Sequence, residues 1–201
     1  MTRIVAGSAG GRRIEVPPRG TRPTSERVRE AVFSALEASV ELDGARVLDL
    51  YAGSGALGLE ALSRGAAHAT FVEADRRAAQ IVRRNAGSLG FRQIRIEQAK
   101  AETALADTGQ ADTGQADTAL GAPPAGPFDV VFADPPYDLD PSKLDSALRA
   151  LAAGGRLAPG AVVVLEQAVR NGDPSWPEPL AAIRSRRYGD TVVHWAGNEP
   201  A

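Results

Sequence analysis

Val47-Leu48-Asp49-Leu50-Tyr51-Ala52-Gly53-Ser54-Gly55-Ala56-Leu57-Gly58-Leu59-Glu60-Ala61-Leu62 is an apolar run, a glycine-rich turn and an apolar helical stretch in direct succession. Glycines in such a turn permit positive φ and let the backbone close on a ligand, while a helix starting at about Ala56 offers N–H groups that lack intrahelical partners. Gly53, Gly55 and Gly58 also satisfy G-x-G-x-x-G, and Glu73 follows Gly53 by 20 residues, so a dinucleotide-binding fold competes. Asp49 argues the other way. A charge just before the turn would crowd a pyrophosphate, yet it suits the ammonium end of a methionine-like ligand.

Outward from this unit, strand and helix signals alternate. Arg46 to Tyr51, Ala69 to Glu73, Gln93 to Gln98, Phe128 to Asp134 and Ala161 to Glu166 read as strands. Gly58 to Arg64, Arg76 to Leu89 and Pro141 to Ala153 read as helices, and alternation of this kind predicts parallel strands with helices on both faces. Ala182 to Tyr188 and Asp190 to Ala196, split by Gly189, predict an antiparallel closing hairpin. At the other end, two β-prone runs around Gly10 and Gly11 predict a hairpin stopped by Pro17 and Pro18. A helix then follows from Thr24 as N-cap, with Val28, Ala31, Val32, Ala35 and Leu36 at helical spacing, and it is expected to cover the cofactor side of the sheet.

The strand Phe128-Asp129-Val130-Val131-Phe132-Ala133 empties into Asp134-Pro135-Pro136-Tyr137. In open α/β sheets ligands lie beyond the carboxyl ends of the strands. A carboxylate, rigid prolines and an aromatic ring placed there supply an acceptor, a fixed carbonyl and a stacking face, which suits a flat base with an exocyclic amine. Asp-Pro-Pro is also an ordinary loop opener. Combined with the glycine turn and Asp49, it makes S-adenosylmethionine the favoured ligand.

Further stretches carry a resemblance. They are Arg3-Ile4-Val5-Ala6-Gly7, Gly10-Gly11-Arg12-Arg13-Ile14, Thr21-Arg22-Pro23-Thr24-Ser25-Glu26-Arg27, the Leu48 to Ala66 unit, Phe71-Val72-Glu73, Asp134-Pro135-Pro136-Tyr137 and Tyr188-Gly189-Asp190-Thr191. Together they make the chain resemble, over nearly its whole length, the bacterial small-subunit ribosomal RNA guanine-N2 methyltransferases of the RsmD type. The resemblance implies a class I S-adenosylmethionine-dependent methyltransferase: a Rossmann-like seven-stranded α/β sheet with an antiparallel closing strand, preceded by a β-hairpin. It divides the chain into a basic extension at 1–20 and a methyltransferase domain at 21–201, with 104–127 as a flexible loop.

In that frame Asp134 and the Pro135 carbonyl would accept the two N–H groups of the reacting amine, stabilising the charge that forms on its nitrogen, and Tyr137 would stack on the base. Tyr51, Gly53, Ser54 and Gly55 would surround the methionine part of the cofactor, with Asp49 at its ammonium. Glu73 would take the ribose hydroxyls, unless it only caps the helix opening near Asp75. Main-chain amides around Ala99 would meet adenine, since Gln98-Ala99-Lys100 lacks the acid that many related enzymes place there.

The 201 residues suit one domain with a sizeable core, 43% of them being hydrophobic. No cysteine is present and the histidines are only His68 and His194, so no metal site is expected. No apolar run spans a membrane and no signal-peptide core opens the chain, which predicts a cytoplasmic protein. A net charge of −2 conceals an asymmetry: residues 1–29 carry seven arginines against Glu15 and Glu26, a local +5 on a body of −7. Arg3, Arg12, Arg13, Arg22 and Arg27 are therefore candidate RNA contacts, with Arg22 and Arg27 equally able to meet the cofactor carboxylate. Arg184, Arg186, Arg187 and Tyr188 could extend that surface, although arginines on an edge strand also deter aggregation, the reading preferred from sequence.

Between Ala106 and Pro127 lies a tandem repeat, Ala106-Asp107-Thr108-Gly109-Gln110 and two near copies, too poor in apolar groups to offset its ordering entropy. Calcium binding by Asp107, Asp112 and Asp117 is disfavoured, because a five-residue spacing matches no known ligand loop. Trp176, among prolines, reads as a packing anchor. The expected partner is small-subunit ribosomal RNA within an assembling particle, engaged by a monomer. DNA adenine-N6 methylation is the nearest rival, but no room is left for a DNA-reading domain. A nicotinamide oxidoreductase and a noncatalytic RNA-binding factor are the rivals from other classes, and neither explains both motifs.

Overall fold

Val47, Leu48 and Leu50 are almost wholly buried, so the strand that carries them must have covered faces and paired edges. In the computed structural model, which describes residues 2–17, 26–106, 127–153 and 155–198, it does. Two short strands, β1 (Thr2–Arg3) and β2 (Arg13–Ile14), form a separate antiparallel pair. Then come α1 (Glu26–Glu37), β3 (Arg46–Leu50), α2 (Ala56–Ser63), β4 (His68–Val72), α3 (Arg76–Leu89), β5 (Ile94–Glu97), α4 (Ala101–Ala106), β6 (Phe128–Ala133), α5 (Pro141–Ala153), β7 (Leu157–Ala168), β8 (Leu180–Tyr188) and β9 (Thr191–Asn198). Seven strands make one sheet in the order β5-β4-β3-β6-β7-β9-β8.

The first five are parallel; β9 runs antiparallel between β7 and β8 and is the reversed strand expected from the sequence. Side chains alternate across each strand, so each face has its own core. Val47, Phe71 and Phe132 meet Phe33 of α1, Leu59 of α2 and Val82 of α3. Leu48, Leu50, Val131 and Leu165 meet Leu105 of α4 and Leu151 of α5, with Trp176 packed against this second cluster as an anchor. The Phe33 and Phe132 rings lie 5.3 Å apart at 44°, a tilted pair worth about 0.5–1.5 kcal/mol beyond its buried area.

Two elements differ from expectation. α4 runs into residues 104–106, read as the start of the insert, because a single turn and a half with Ala101 and Leu105 inward is too short to show a period. β7 begins at Leu157, four residues early: Pro159 and Gly160 mask the pattern, and the ladder with β6 shifts register between Phe128 and Val130. The repeat between 107 and 126, together with Pro18, Thr24 and Arg22, lies outside the described residues. No helix among the described residues is long and apolar enough to cross a membrane.

The N-terminal pair is stitched to α2 and is not held by its two-residue ladder alone. Glu60, wholly buried, accepts the N–H groups of Val5 and Ala6 at 2.7 and 3.0 Å and that of Arg64 Nε at 2.9 Å. The Arg29 guanidinium, also wholly buried, lies 3.6 Å from the same carboxylate and donates to the Arg3 carbonyl. Ser63 Oγ accepts from Ala9 N at 2.9 Å, and Ser8 N donates to the Ser63 carbonyl at 2.7 Å. Gly7, at φ 80°, sits so close that a Cβ would lie 1.8 Å from that carbonyl. The glycines here serve close docking.

Candidate active site

Parallel strands end on one edge of a sheet, and their register decides what meets there. Leu50 pairs with Val72 and with Ala133, and Val72 pairs with Glu97. This last common rung puts Tyr51, Glu73, Gln98 and Asp134, one residue further along each strand, side by side at the carboxyl edge. The sequence-predicted residues of both motifs are thereby brought together.

The glycine turn is a chain of left-handed steps. Tyr51 has φ 60°, Gly53 φ 57° and Gly55 φ 77°, and Gly55 is the residue from which α2 starts. Non-glycine residues rarely hold such φ, so Tyr51 marks a strained, built corner. Burial first, and Glu102 second, push its phenol up to about 12; the hydroxyl finds no hydrogen-bond partner among the described residues. Glu73 spans the turn: Oε2 accepts Gly53 N–H and Oε1 accepts Asp75 N–H, both at 2.8 Å. Asp75, in turn, caps α3 by accepting from Ala78 N at 2.8 Å. Glu73 thus holds the loop and the helix entrance at once, and each oxygen keeps a second lone pair for a ligand hydroxyl.

Asp49 lies beneath the turn, 1% exposed, with Oδ2 accepting Gly58 N–H at 2.9 Å. Gly58 is obligatory there, since a Cβ would fall 2.4 Å from the Phe71 ring. Burial raises the Asp49 carboxyl well above its ordinary range, and Asp134 and Glu73 raise it further. Asp49, Glu73 and Asp134 thus lie close enough to act on one another, and a cation beside them would relieve the repulsion. Asp49 fixes the start of α2 first; an ammonium would approach its other oxygen. This donor set fits S-adenosylmethionine: acids for its cationic end, a glycine cradle for its backbone, Glu73 for a diol.

A prediction follows from the sign of the Asp49 shift. A carboxyl raised in the folded state penalises folding as pH climbs past the unfolded value of about 3.9, and the penalty is complete only above the folded value. Asp49→Asn should therefore raise Tm relative to the parent by an amount that grows from pH 4 to pH 8, while weakening S-adenosylhomocysteine binding by about tenfold or more through loss of one charge contact. Thermal melts and calorimetry read both. A variant that is destabilised at pH 8 with unchanged ligand affinity would refute the assignment.

On the acceptor side, Pro135 is buried and Tyr137 is 38% exposed. Tyr137 Oη lies 3.2 Å from Thr191 Oγ1 of β9, its carbonyl accepts from Arg170 at 3.2 Å, and the Arg170 guanidinium lies 5.9 Å from its ring centre. Ala99 is half-buried and its N–H donates to the Glu97 carbonyl at 3.1 Å. Ser54 is linked by its carbonyl to Asn85 Nδ2 at 2.9 Å, and Asn85 also exchanges two hydrogen bonds with the Glu15 backbone at 2.8 and 3.0 Å. Asn85 thus couples the N-terminal pair to the cofactor turn. Inside a helix it carries no motif by which sequence could mark it.

The candidate RNA contacts divide. Arg12 donates to the Ser88 and Leu89 carbonyls at the end of α3, and Arg3 pairs with Glu26 at 3.0 Å while remaining exposed. Arg13 and Arg27 are exposed. Arg29, counted in the sequence-level charge of this arm, is buried, and Glu15 pairs with Arg84 at 2.8 Å. Arg29 therefore adds nothing to the charge the arm presents, while Arg84 offsets the acid Glu15.

Comparison with known proteins identifies the relatives of the chain. The family described as Conserved hypothetical protein 95 matches residues 2–196. Ribosomal RNA small subunit methyltransferase D of Escherichia coli K12 is 39% identical over 191 residues, 94% of this chain and 86% of that protein. Its Haemophilus influenzae namesake is 35% identical over 166 residues, 82% and 77% of the two chains. Among solved structures, yhhF of Escherichia coli, described as a candidate methyltransferase, superposes with a TM-score of 0.82 at 35% identity over 98% of each chain. By sequence over nearly its full length and by fold, the chain belongs to the Conserved hypothetical protein 95 family, the RsmD-like methyltransferases.

Proposed function

We propose that this protein transfers a methyl group from S-adenosylmethionine to the exocyclic N2 amine of a guanine in small-subunit ribosomal RNA. One observation carries the reading: the register that sets Asp134 directly beside the glycine-turn strand, so that acceptors for an amine lie next to a cleft suited to a cationic cofactor. Membership of a family whose relatives are named ribosomal RNA small subunit methyltransferases supports the substrate class. Bound in the cleft, the cofactor supplies an activated methyl carbon. Glu73 and the Tyr51–Gly55 turn would hold it, with Asp49 bracing the turn from below.

The residues of this chain then act on the base. Asp134 and the Pro135 carbonyl accept the two amine N–H groups, aim the nitrogen lone pair and stabilise the positive charge that develops on it. Tyr137, fixed by Thr191 and Arg170, stacks on the ring, a contact worth about 1–3 kcal/mol per base. A paired guanine must first leave its helix, which costs a few kcal/mol. A protein-loaded particle is the proposed substrate, bound by a monomer. The test is labelled methyl transfer to unmethylated small subunits, naked ribosomal RNA and unmethylated DNA in parallel. Label recovered as N2-methylguanine in RNA is expected; label in DNA alone, or in another base, overturns the reading.

A further inference from the structure

One arginine of the N-terminal arm, Arg29, is buried against Glu60 and is not offered to a partner, whereas β8 carries several exposed cations. β8 is the edge strand, and Ala181 to Arg187 are exposed. It holds Arg184, Arg186 and Arg187 and no acid. These three arginines make no ion pair among the described residues, on a body whose net charge outside residues 1–29 is −7.

Register shows where they lead. Arg184 pairs with Trp195, Arg186 with Val193 and Tyr188 with Thr191, so these residues share one face of the sheet. Thr191 is the residue that holds Tyr137. Arg184 lies over the Trp195 ring at 4.6 Å and Arg186 over Tyr188 at 5.3 Å, which keeps both guanidinium groups against aromatic rings. Arg170 over Tyr137 continues the line to the mouth of the cleft. Deterring strand addition needs charges at the edge and nothing more. It does not explain cations held against aromatic rings in a row that ends at the acceptor tyrosine.

We propose that Arg184, Arg186 and Arg170 form a phosphate track along the β8 edge that holds the backbone of the RNA flanking the target base and leads it to Tyr137. This rests on the reading of the protein as an RNA methyltransferase. The guanidinium groups contact phosphates, so the track adds affinity without reading sequence. Tyr188 and Trp195 hold the arginines in place, and Arg187, on the opposite face by strand alternation, lies off the track.

The experiment compares wild type with Arg184→Gln/Arg186→Gln, with Arg184→Lys/Arg186→Lys, and with Lys143→Gln/Arg149→Gln, which removes the same charge from exposed positions of α5. Methyl transfer to unmethylated small subunits and binding of naked small-subunit ribosomal RNA are measured at several salt concentrations, with S-adenosylhomocysteine affinity and Tm alongside. The β8 glutamine pair is expected to raise KM about tenfold, leave kcat and cofactor affinity unchanged, and lower the salt slope of RNA binding by about 1.4 to 1.8. The lysine pair should recover most of that loss, which a packing defect would not allow. An unchanged KM and slope overturn the track, as does an equal effect from the α5 pair. A raised KM with unaltered RNA binding assigns the edge to a ribosomal protein and overturns it too. Absence of transfer to RNA by the wild type would instead sink the functional reading itself.

Discussion

Asp134→Ala is expected to lower the rate of methyl transfer to the small subunit by about 10²–10³-fold, the range seen when one preorganised charge-stabilising partner is removed from a reacting centre. Affinity for S-adenosylhomocysteine should stay within about threefold, because the proposed role of Asp134 lies with the acceptor, while the turn is held by Glu73 and Asp49. The loss should fall on kcat in single-turnover kinetics, since the charge that Asp134 offsets exists only as the new bond forms. Asp134→Asn, which keeps an acceptor oxygen but not the charge, should lie between. Removing Asp134 also takes a like charge away from Asp49. Wild-type turnover by Asp134→Ala would remove the proposed catalytic role outright.

The largest effect on stability is expected from Glu60→Ala. Its carboxylate is wholly buried, accepts two backbone N–H groups and Arg64 Nε, and faces the buried Arg29. Removing one partner of a buried ion pair strands the other charge, at a cost of about 3–5 kcal/mol. In a domain of this size each kcal/mol lowers Tm by roughly 2–4 °C. The loss should be partly repaired by Arg29→Met in the same chain, since the stranded cation goes with it. Residues 2–17 should become protease-sensitive in Glu60→Ala, because their amides lose their acceptor. A single-variant loss under 1 kcal/mol would show that the N-terminal pair is held by other contacts.

How legible this was in the sequence depends on what kind of signal each residue leaves. The strand-turn-helix unit at Val47 and the Asp134-Pro135-Pro136-Tyr137 exit were readable because period, glycine and proline are local signals. Their adjacency followed from the sheet type, although the rung that joins Leu50 to Ala133 needed the structure. Glu60, Arg29 and Asn85 were not readable. Glu60 sits in an apolar helix stretch as a lone acid, and its partners lie 54 and 55 residues away, where no periodicity reaches. Composition likewise counts Arg29 as surface charge, and only tertiary contacts reveal that it is buried against Glu60. α4 escaped because six residues are too few for a period.

The bond between Tyr137 and Thr191 joins residues 54 positions apart, and β9, which supplies Thr191, inserts between two strands synthesised before it. At about 5–20 residues per second, translation delivers Thr191 roughly 3 to 11 seconds after Tyr137. During that interval Tyr137 has no Thr191 hydroxyl beside its own. The orientation of the Tyr137 ring is therefore among the last features of the molecule to be set, and it waits on the closing of β9 between β7 and β8.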